Sequence, residues 1–270
     1  MSGKIAAATL VVLGLTVLLV PWLMPLDQQL VDLRSAGLAP SLAHPLGTDE
    51  VGRDVLLRCV YGLRVSFLVG MVAALAGMLV GGVVGVVAGS FGGAVDRVLM
   101  RVVDGFSSLP HLLLGIFIVA MFAPSATAVV VSVCVTHWTT AARILRSEVL
   151  SLRGRPFVEA AVSGGASRTR VMGRHLIPHL MPQLLLATVL MVPHAIWHET
   201  ALSFLGLGLP PHLASLGNMI NDGRRSLLSG QWWSSLAPGL FILGPTLAIS
   251  VLSQRLRDRF NPRTRSELSL

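Results

Sequence analysis

The sequence predicts an all-α membrane protein with six transmembrane helices, and three observations carry that prediction. Its 270 residues are 53% hydrophobic and 13% charged, with a mean hydropathy of +0.73, whereas a soluble domain is about one quarter charged. Apolar stretches of about 20 residues, long enough for a hydrocarbon core of roughly 30 Å, recur six times, at 5–24, 66–90, 99–122, 126–142, 179–204 and 235–254. Between the fourth and the fifth lies a strongly basic segment that still keeps a helical apolar rhythm.

The first stretch follows one charge, Lys4, and no small-x-small cleavage site comes after it, so it reads as an uncleaved span. Residues 1–65 then comprise this span and an external segment, with Pro25, Pro40, Pro45 and several Asp predicting loops and a short amphipathic piece. Residues 66–260 form a core of five spans and 261–270 the tail, and the basic end from Arg255 to Arg265 is expected near lipid headgroups. On span two, Gly77, Gly81, Gly85 and Gly89 recur every fourth residue and make one flat helix face for close helix packing, within the chain or against a partner subunit. Span three opens with Arg101 and Asp104 one turn apart, a pair that can neutralise itself, and is kinked at Pro110, before His111. Span four ends at His137 and Trp138, read as an interfacial anchor and its neighbour. Cys59 and Cys134 have neither disulfide nor metal-ligand spacing and read as packing residues.

The segment 143–179 predicts two or three short helices through Val149, Leu152, Phe157, Ala160, Ala161 and Val171, with a sharp turn at Gly164 and Gly165. Span five carries Pro178, Pro182 and Pro193, so its backbone is interrupted and some carbonyls are freed. Six spans put both termini on one side. If that side is the cytoplasm, fifteen of the 21 basic residues lie inside: Lys4, Arg97, Arg101, seven Arg in 143–174 and five in 255–265. The outer segments hold six Arg against six acids, as the positive-inside rule requires. The net charge of +8 therefore reports topology and not a nucleic-acid partner.

An absence also bears on function. A P-loop needs a lysine for the β and γ phosphates, and Lys4 is the one lysine of the chain. No Ser/His/Asp or Cys/His arrangement has a recognisable context.

The segment Phe157-Val158-Glu159-Ala160-Ala161, followed by Gly165-Ala166-Ser167 and Arg174-His175-Leu176-Ile177-Pro178, resembles the EAA loop of bacterial ABC-importer permeases. The blocks His44-Pro45-Leu46-Gly47-Thr48-Asp49, Gly52-Arg53-Asp54, Tyr61-Gly62-Leu63-Arg64 and Leu202-Ser203-Phe204-Leu205-Gly206-Leu207-Gly208 are similar to the dipeptide, oligopeptide and nickel branch, C-type subunit. The resemblance covers about residues 44–263. It departs from the family at Ser215-Leu216-Gly217 and at Leu252 to Asp258.

The resemblance implies an ABC type I importer permease fold in the bacterial inner membrane, with both termini cytoplasmic. It further implies a second homologous permease, two ABC ATPases that hold the ATP and Mg, no cofactor in this chain, and an external substrate-binding protein. The ATPase-coupling residues would be Phe157, Glu159, Ala160, Ala161, Gly165, Arg168, Arg174 and Pro178. For Arg168, Arg170 and Arg174, contact with lipid headgroups stays equally open.

Cargo is read from span five. Met191, His194 and His198 fall on one helix stripe, and His194 with His198 have the i,i+4 spacing that lets two imidazoles share a metal. The histidine pair, His137-Trp138 and Gly217-Asn218-Met219-Ile220-Asn221-Asp222 look like the nickel permeases. Nickel or another divalent metal, free or chelated, is therefore the expected cargo and Met191, His194, His198 and Glu199 the candidate pathway, with di- or oligopeptides as the alternative. Bonding of both histidines to backbone freed by Pro193 also stays open. A proton-coupled secondary transporter using Glu199, His194 and His198 as a relay is the reading from another class, against which stands the lack of internal repeats. An intramembrane metalloenzyme is the third, and the order His-x-x-x-His-Glu is wrong for a zinc protease.

Overall fold

A computed structural model describes residues 3–27 and 31–260, with side chains described as far as 255. The tail 261–270 lies outside the described residues. Among the described residues ten α-helices follow one another: α1 (Gly3–Leu23), α2 (Val55–Phe91), α3 (Gly93–Ser107), α4 (His111–Ala120), α5 (Ala126–Arg153), α6 (Pro156–Ser163), α7 (Arg168–Val171), α8 (Ile177–Phe204), α9 (Leu216–Ser226) and α10 (Trp233–Phe260). A π-helical turn, Met172–Leu176, joins α7 to α8. No β-sheet occurs among the described residues, only an isolated bridge between Thr48 and Asp54.

Among the described residues five helices are long and apolar enough to cross a membrane, or six if α3 and α4 count as one broken span. That pair is the expected third span, and it bends by 80°. Proline cannot donate to the helical ladder, and the residue before it is driven out of the α region, so α3 ends at Ser107 and α4 restarts after Pro110. The pairing of Asp104 with Arg101 does not form. Asp104 instead accepts from Arg143 at 2.9 Å, because α5 packs beside α3 and brings that side chain within reach.

α2 begins earlier than the hydropathy implied. Asp54 caps it by accepting from the Leu57 amide, so Arg58 and Arg64, expected outside the span among loops and a short amphipathic piece, lie on its first three turns, and it runs unbroken through residues 65 and 66. α5 likewise continues to Arg153, eleven residues past the expected end at 142, and absorbs the start of the basic segment.

The glycine stripe of α2 explains the centre of the molecule. A Cβ on Gly81 would run into the Trp138 carbonyl and lie 2.6 Å from the Ala141 methyl, and one on Gly85 would strike the Ala142 carbonyl. Gly89 faces Val149, and Gly77 faces Cys134. The stripe is thus occupied by α5 of the same chain, whose small residues Ala141 and Ala142 are themselves fully buried. Contact at backbone distance is how membrane helices associate where lipid supplies no hydrophobic drive. α8 closes the core with Leu180, Val192, Ala195 and Ile196.

α1 is peripheral, with Gly3 and Ala6 as its buried residues. Its N-terminal end meets the Arg255 side chain of α10 at Gly3, so the first and last helices have these ends on the same side. Its other end is tied to α2, where the Tyr61 hydroxyl accepts from Leu26 N–H at 3.0 Å and donates to the Met24 carbonyl at 3.1 Å.

Candidate translocation cavity and coupling surface

Four histidines line one cavity of about 550 Å³. His194 and His198 come from α8, His137 from α5 and His111 from the first position of α4. Met191, Gln183 and Gln254 share the wall. His137 and His198 meet edge to face with ring centres 4.4 Å apart, and His111 lies 5.8 Å from His137. The 80° break delivers His111, since it re-aims α4 at the point where that residue begins the helix.

His137 has a defined orientation. Its Nδ1 sits 2.9 Å from the Thr136 hydroxyl and 3.1 Å from the Val133 carbonyl, which leaves Nε2 as the ring nitrogen without a protein partner among the described residues. Among the described residues no group of three or more His, Cys, Asp or Glu side chains is arranged to hold a metal ion; the rings are spread along the cavity wall.

Glu199 is not brought together with the histidines. It is fully buried and takes the Ser203 hydroxyl on Oε1 at 2.8 Å, with Ser66, Ser215 and Thr200 around it. Ser203 Oγ in turn receives Leu209 N–H at 3.2 Å, and a Cβ on Gly208 or Gly217 would collide with Ser203. The Asn218 side-chain amide donates to the carbonyls of Pro210 at 2.9 Å and Leu213 at 3.2 Å. The Leu202–Gly208 block is therefore a knot that fastens the end of α8 and the start of α9 to α2.

The block between α1 and α2 is also a knot. Asp49 takes the Arg53 amide and Nε at 2.9 and 2.8 Å and the Arg58 Nη1 at 2.5 Å. Arg58 is 2% exposed and has Asp222 of α9 at 3.7 Å on its other nitrogen. Burial pushes the Asp222 carboxyl above the usual range, with Arg58 acting against it. Gly52 adopts φ 83°, and a Cβ there would strike the Asp32 carbonyl.

At the other end of α2, the loop presents a shallow face. Val158 is buried and fixes α6, leaving Phe157, Glu159, Ala160 and Gly165 exposed and Ala161 half-buried. Phe157 stacks on His179 at 4.6 Å and 19°. Pro156 starts α6 at the position that tolerates a missing N–H, and Gly165 ends the turn with φ 78° while Gly164 stays at −77°. Arg174 and Pro178 are exposed where the chain enters α8. Arg168 is partly committed within the chain: its Nη1 donates to the Phe91 carbonyl at 2.9 Å, as Arg153 does to Gly89 at 3.0 Å. Two cations thus satisfy the C-terminal carbonyls of α2. Sequence spacing gave no sign of this contact across 77 residues, nor of His111 and His137 meeting.

Comparison with known proteins places this arrangement. Residues 81–266 match the family described as binding-protein-dependent transport system inner membrane component. The dipeptide transport system permease protein DppC of Bacillus subtilis is 39% identical over 267 residues, covering 98% of this chain and 83% of that protein. The nickel transport system permease protein NikC of Escherichia coli K12 is 36% identical over 264 residues, covering 97% and 94%. Among solved structures, an inward-facing form of the MetNI methionine ABC transporter shares the fold with a TM-score of 0.62 at 18% identity, over 75% of this chain and 95% of that one. The chain belongs to the binding-protein-dependent inner-membrane components and is a membrane-spanning permease subunit of an ABC importer, working with separate ATPase and substrate-binding partners.

Proposed function

We propose that the four-histidine cavity is this subunit's share of the translocation path and that its cargo is a divalent metal, nickel foremost, free or chelated by a small molecule. The observation that carries the reading is the convergence of His111, His137, His194 and His198 on one cavity with Met191 in its wall. Imidazole nitrogen and thioether sulfur are ligands for late transition metals, and rings spread along a wall suit a passing ion better than a resident one. The cavity of about 550 Å³ also has room for a chelate.

A second homologous permease completes the path, and both termini lie in the cytoplasm. Phe157, Glu159, Ala160, Ala161, Gly165, Arg174 and Pro178 form the face that seats in an ATPase, with Arg168 linking that face to α2. The ATPases hold ATP and Mg, and their closure moves the coupling loops and through them the bundles. The alternative cargo, a di- or oligopeptide, is favoured by the 39% identity to a dipeptide permease.

The test is uptake into vesicles holding the full transporter with ATP, using nickel and dipeptides in parallel. Nickel uptake that falls in the double variant His194→Ala, His198→Ala, at unchanged yield of the complex, supports the metal reading. Dipeptide uptake indifferent to that variant, with no nickel uptake, overturns it. Transport by the chain alone without ATP would instead establish the secondary-transporter class.

A further inference from the structure

We propose that the groove between α1 and the face formed by α2, α8 and α10 is a seat for one anionic phospholipid, with its phosphate on Arg64 and an acyl chain laid along α1. The groove is about 500 Å³, runs from Leu10 to Leu18 of α1, and is backed by Phe67, Val192 and Ile249. Arg64 is the one polar or charged side chain in its wall. The other arginines of this region are engaged, Arg53 and Arg58 with Asp49 and Arg58 also with Asp222. Arg64 has neither an ion pair nor a hydrogen bond among the described residues.

Its depth fits a headgroup contact. Tyr61, one turn earlier on α2, bonds to Met24 and Leu26 at the end of α1. Arg64 therefore lies about one helical turn inside the end of a 21-residue span, on the side where Trp22 is 86% exposed, as interfacial Trp residues are. A guanidinium at that depth reaches the headgroup level by extending its stem. The groove itself is open, because a Cβ added to Gly14 would meet nothing within 4 Å. An apolar slot in a bilayer takes hydrocarbon, and an unpaired guanidinium at its mouth selects the hydrocarbon that carries a phosphate, which Arg can hold through two parallel hydrogen bonds. A net anionic headgroup is preferred because a zwitterionic one brings its own ammonium to compete.

This inference stands apart from the cargo, since no groove residue lines the histidine cavity except through the shared helices. The full transporter, purified from vesicles of equal phosphatidylglycerol and phosphatidylethanolamine, is weighed intact by native mass spectrometry. The expected result is one phosphatidylglycerol retained in preference. Arg64→Gln lowers that retention roughly ten- to hundredfold, the value of a hydrogen bond to a charged group. Gly14→Leu lowers it as well by filling the slot, while replacing a helical glycine with a better helix former. Equal retention by wild type and both variants overturns the seat. So does a photoreactive residue at position 14 that crosslinks to a second polypeptide in place of lipid.

Discussion

At Gly81 the carbonyl of Trp138 occupies the space a methyl group would need, so the identity of one residue sets the distance between two spans. Gly81→Ala is expected to lower stability by about 1–3 kcal/mol through overpacking. Gly239→Ala, on α10 with nothing within 4 Å of its added Cβ, is expected to raise it by up to about 1 kcal/mol from helix propensity. Thermal unfolding in one detergent, variant against variant, reads both signs; a neutral Gly81→Ala would mean that α2 and α5 can separate freely. Glu199 offers a second prediction at this scale. Glu199→Gln keeps an oxygen for the Ser203 hydroxyl and should preserve both yield and uptake, whereas Glu199→Leu should reduce yield by leaving hydroxyls unpaired. Loss of uptake at normal yield in Glu199→Gln would restore the proton relay. The separation of Glu199 from His198 was open to sequence reasoning, since consecutive helical residues point about 100° apart. The convergence of His137 on His198 was not, because it depends on how α5 and α8 cross.

Elements were legible where composition alone decides them. The apolar runs of α1, α5 and α10 are visible as hydropathy, and Pro110 announces a break. The 80° angle does not follow from proline, which forbids a continuing helix without choosing the new direction. The ends of α2 and α5 were misjudged for a physical reason: polar and charged residues continue a helix once it leaves hydrocarbon, so hydropathy marks the membrane and not the helix. The basic segment was legible as helical from its rhythm, and the turn at Gly165 from its pair of glycines, of which only the second has positive φ. Gly165→Val places a β-branched side chain at φ 78°, strain of about 1–3 kcal/mol, and should tilt α6 against α7. The expected outcome is normal membrane insertion with lost coupling, read as ATP hydrolysis that no longer rises with cargo. Charge reversal in Glu159→Lys on the exposed face of α6 should act in the same direction by weakening ATPase binding. Intact stimulation in both variants would remove the docking role from this loop.

At the scale of the whole molecule, charge and geometry are independent witnesses to orientation. Gly3 of α1 meets Arg255 of α10, which puts those two ends together. The loop end of α2, held by Arg153 and Arg168, gathers basic residues from α5 and α7 and Arg155 ahead of α6, while the opposite end carries the Asp49, Arg58 and Asp222 knot in which opposite charges cancel. The positive-inside rule therefore predicts that the α6 face lies in the cytoplasm. Single cysteines at Ala160, exposed on α6, and at Leu42, fully exposed in the segment between α1 and α2, turn this into a measurement. The native Cys59 is buried, and replacing Cys134 with Ala removes the remaining background. In right-side-out vesicles a membrane-impermeant thiol reagent should label position 42 and spare position 160, and the pattern should invert when the vesicles are turned inside out. Labelling of both positions from one side would break the six-span count, and with it the bent α3–α4 pair as a single crossing. The reverse pattern would keep the count but set the basic loop outside, where no ATP-hydrolysing partner could reach it.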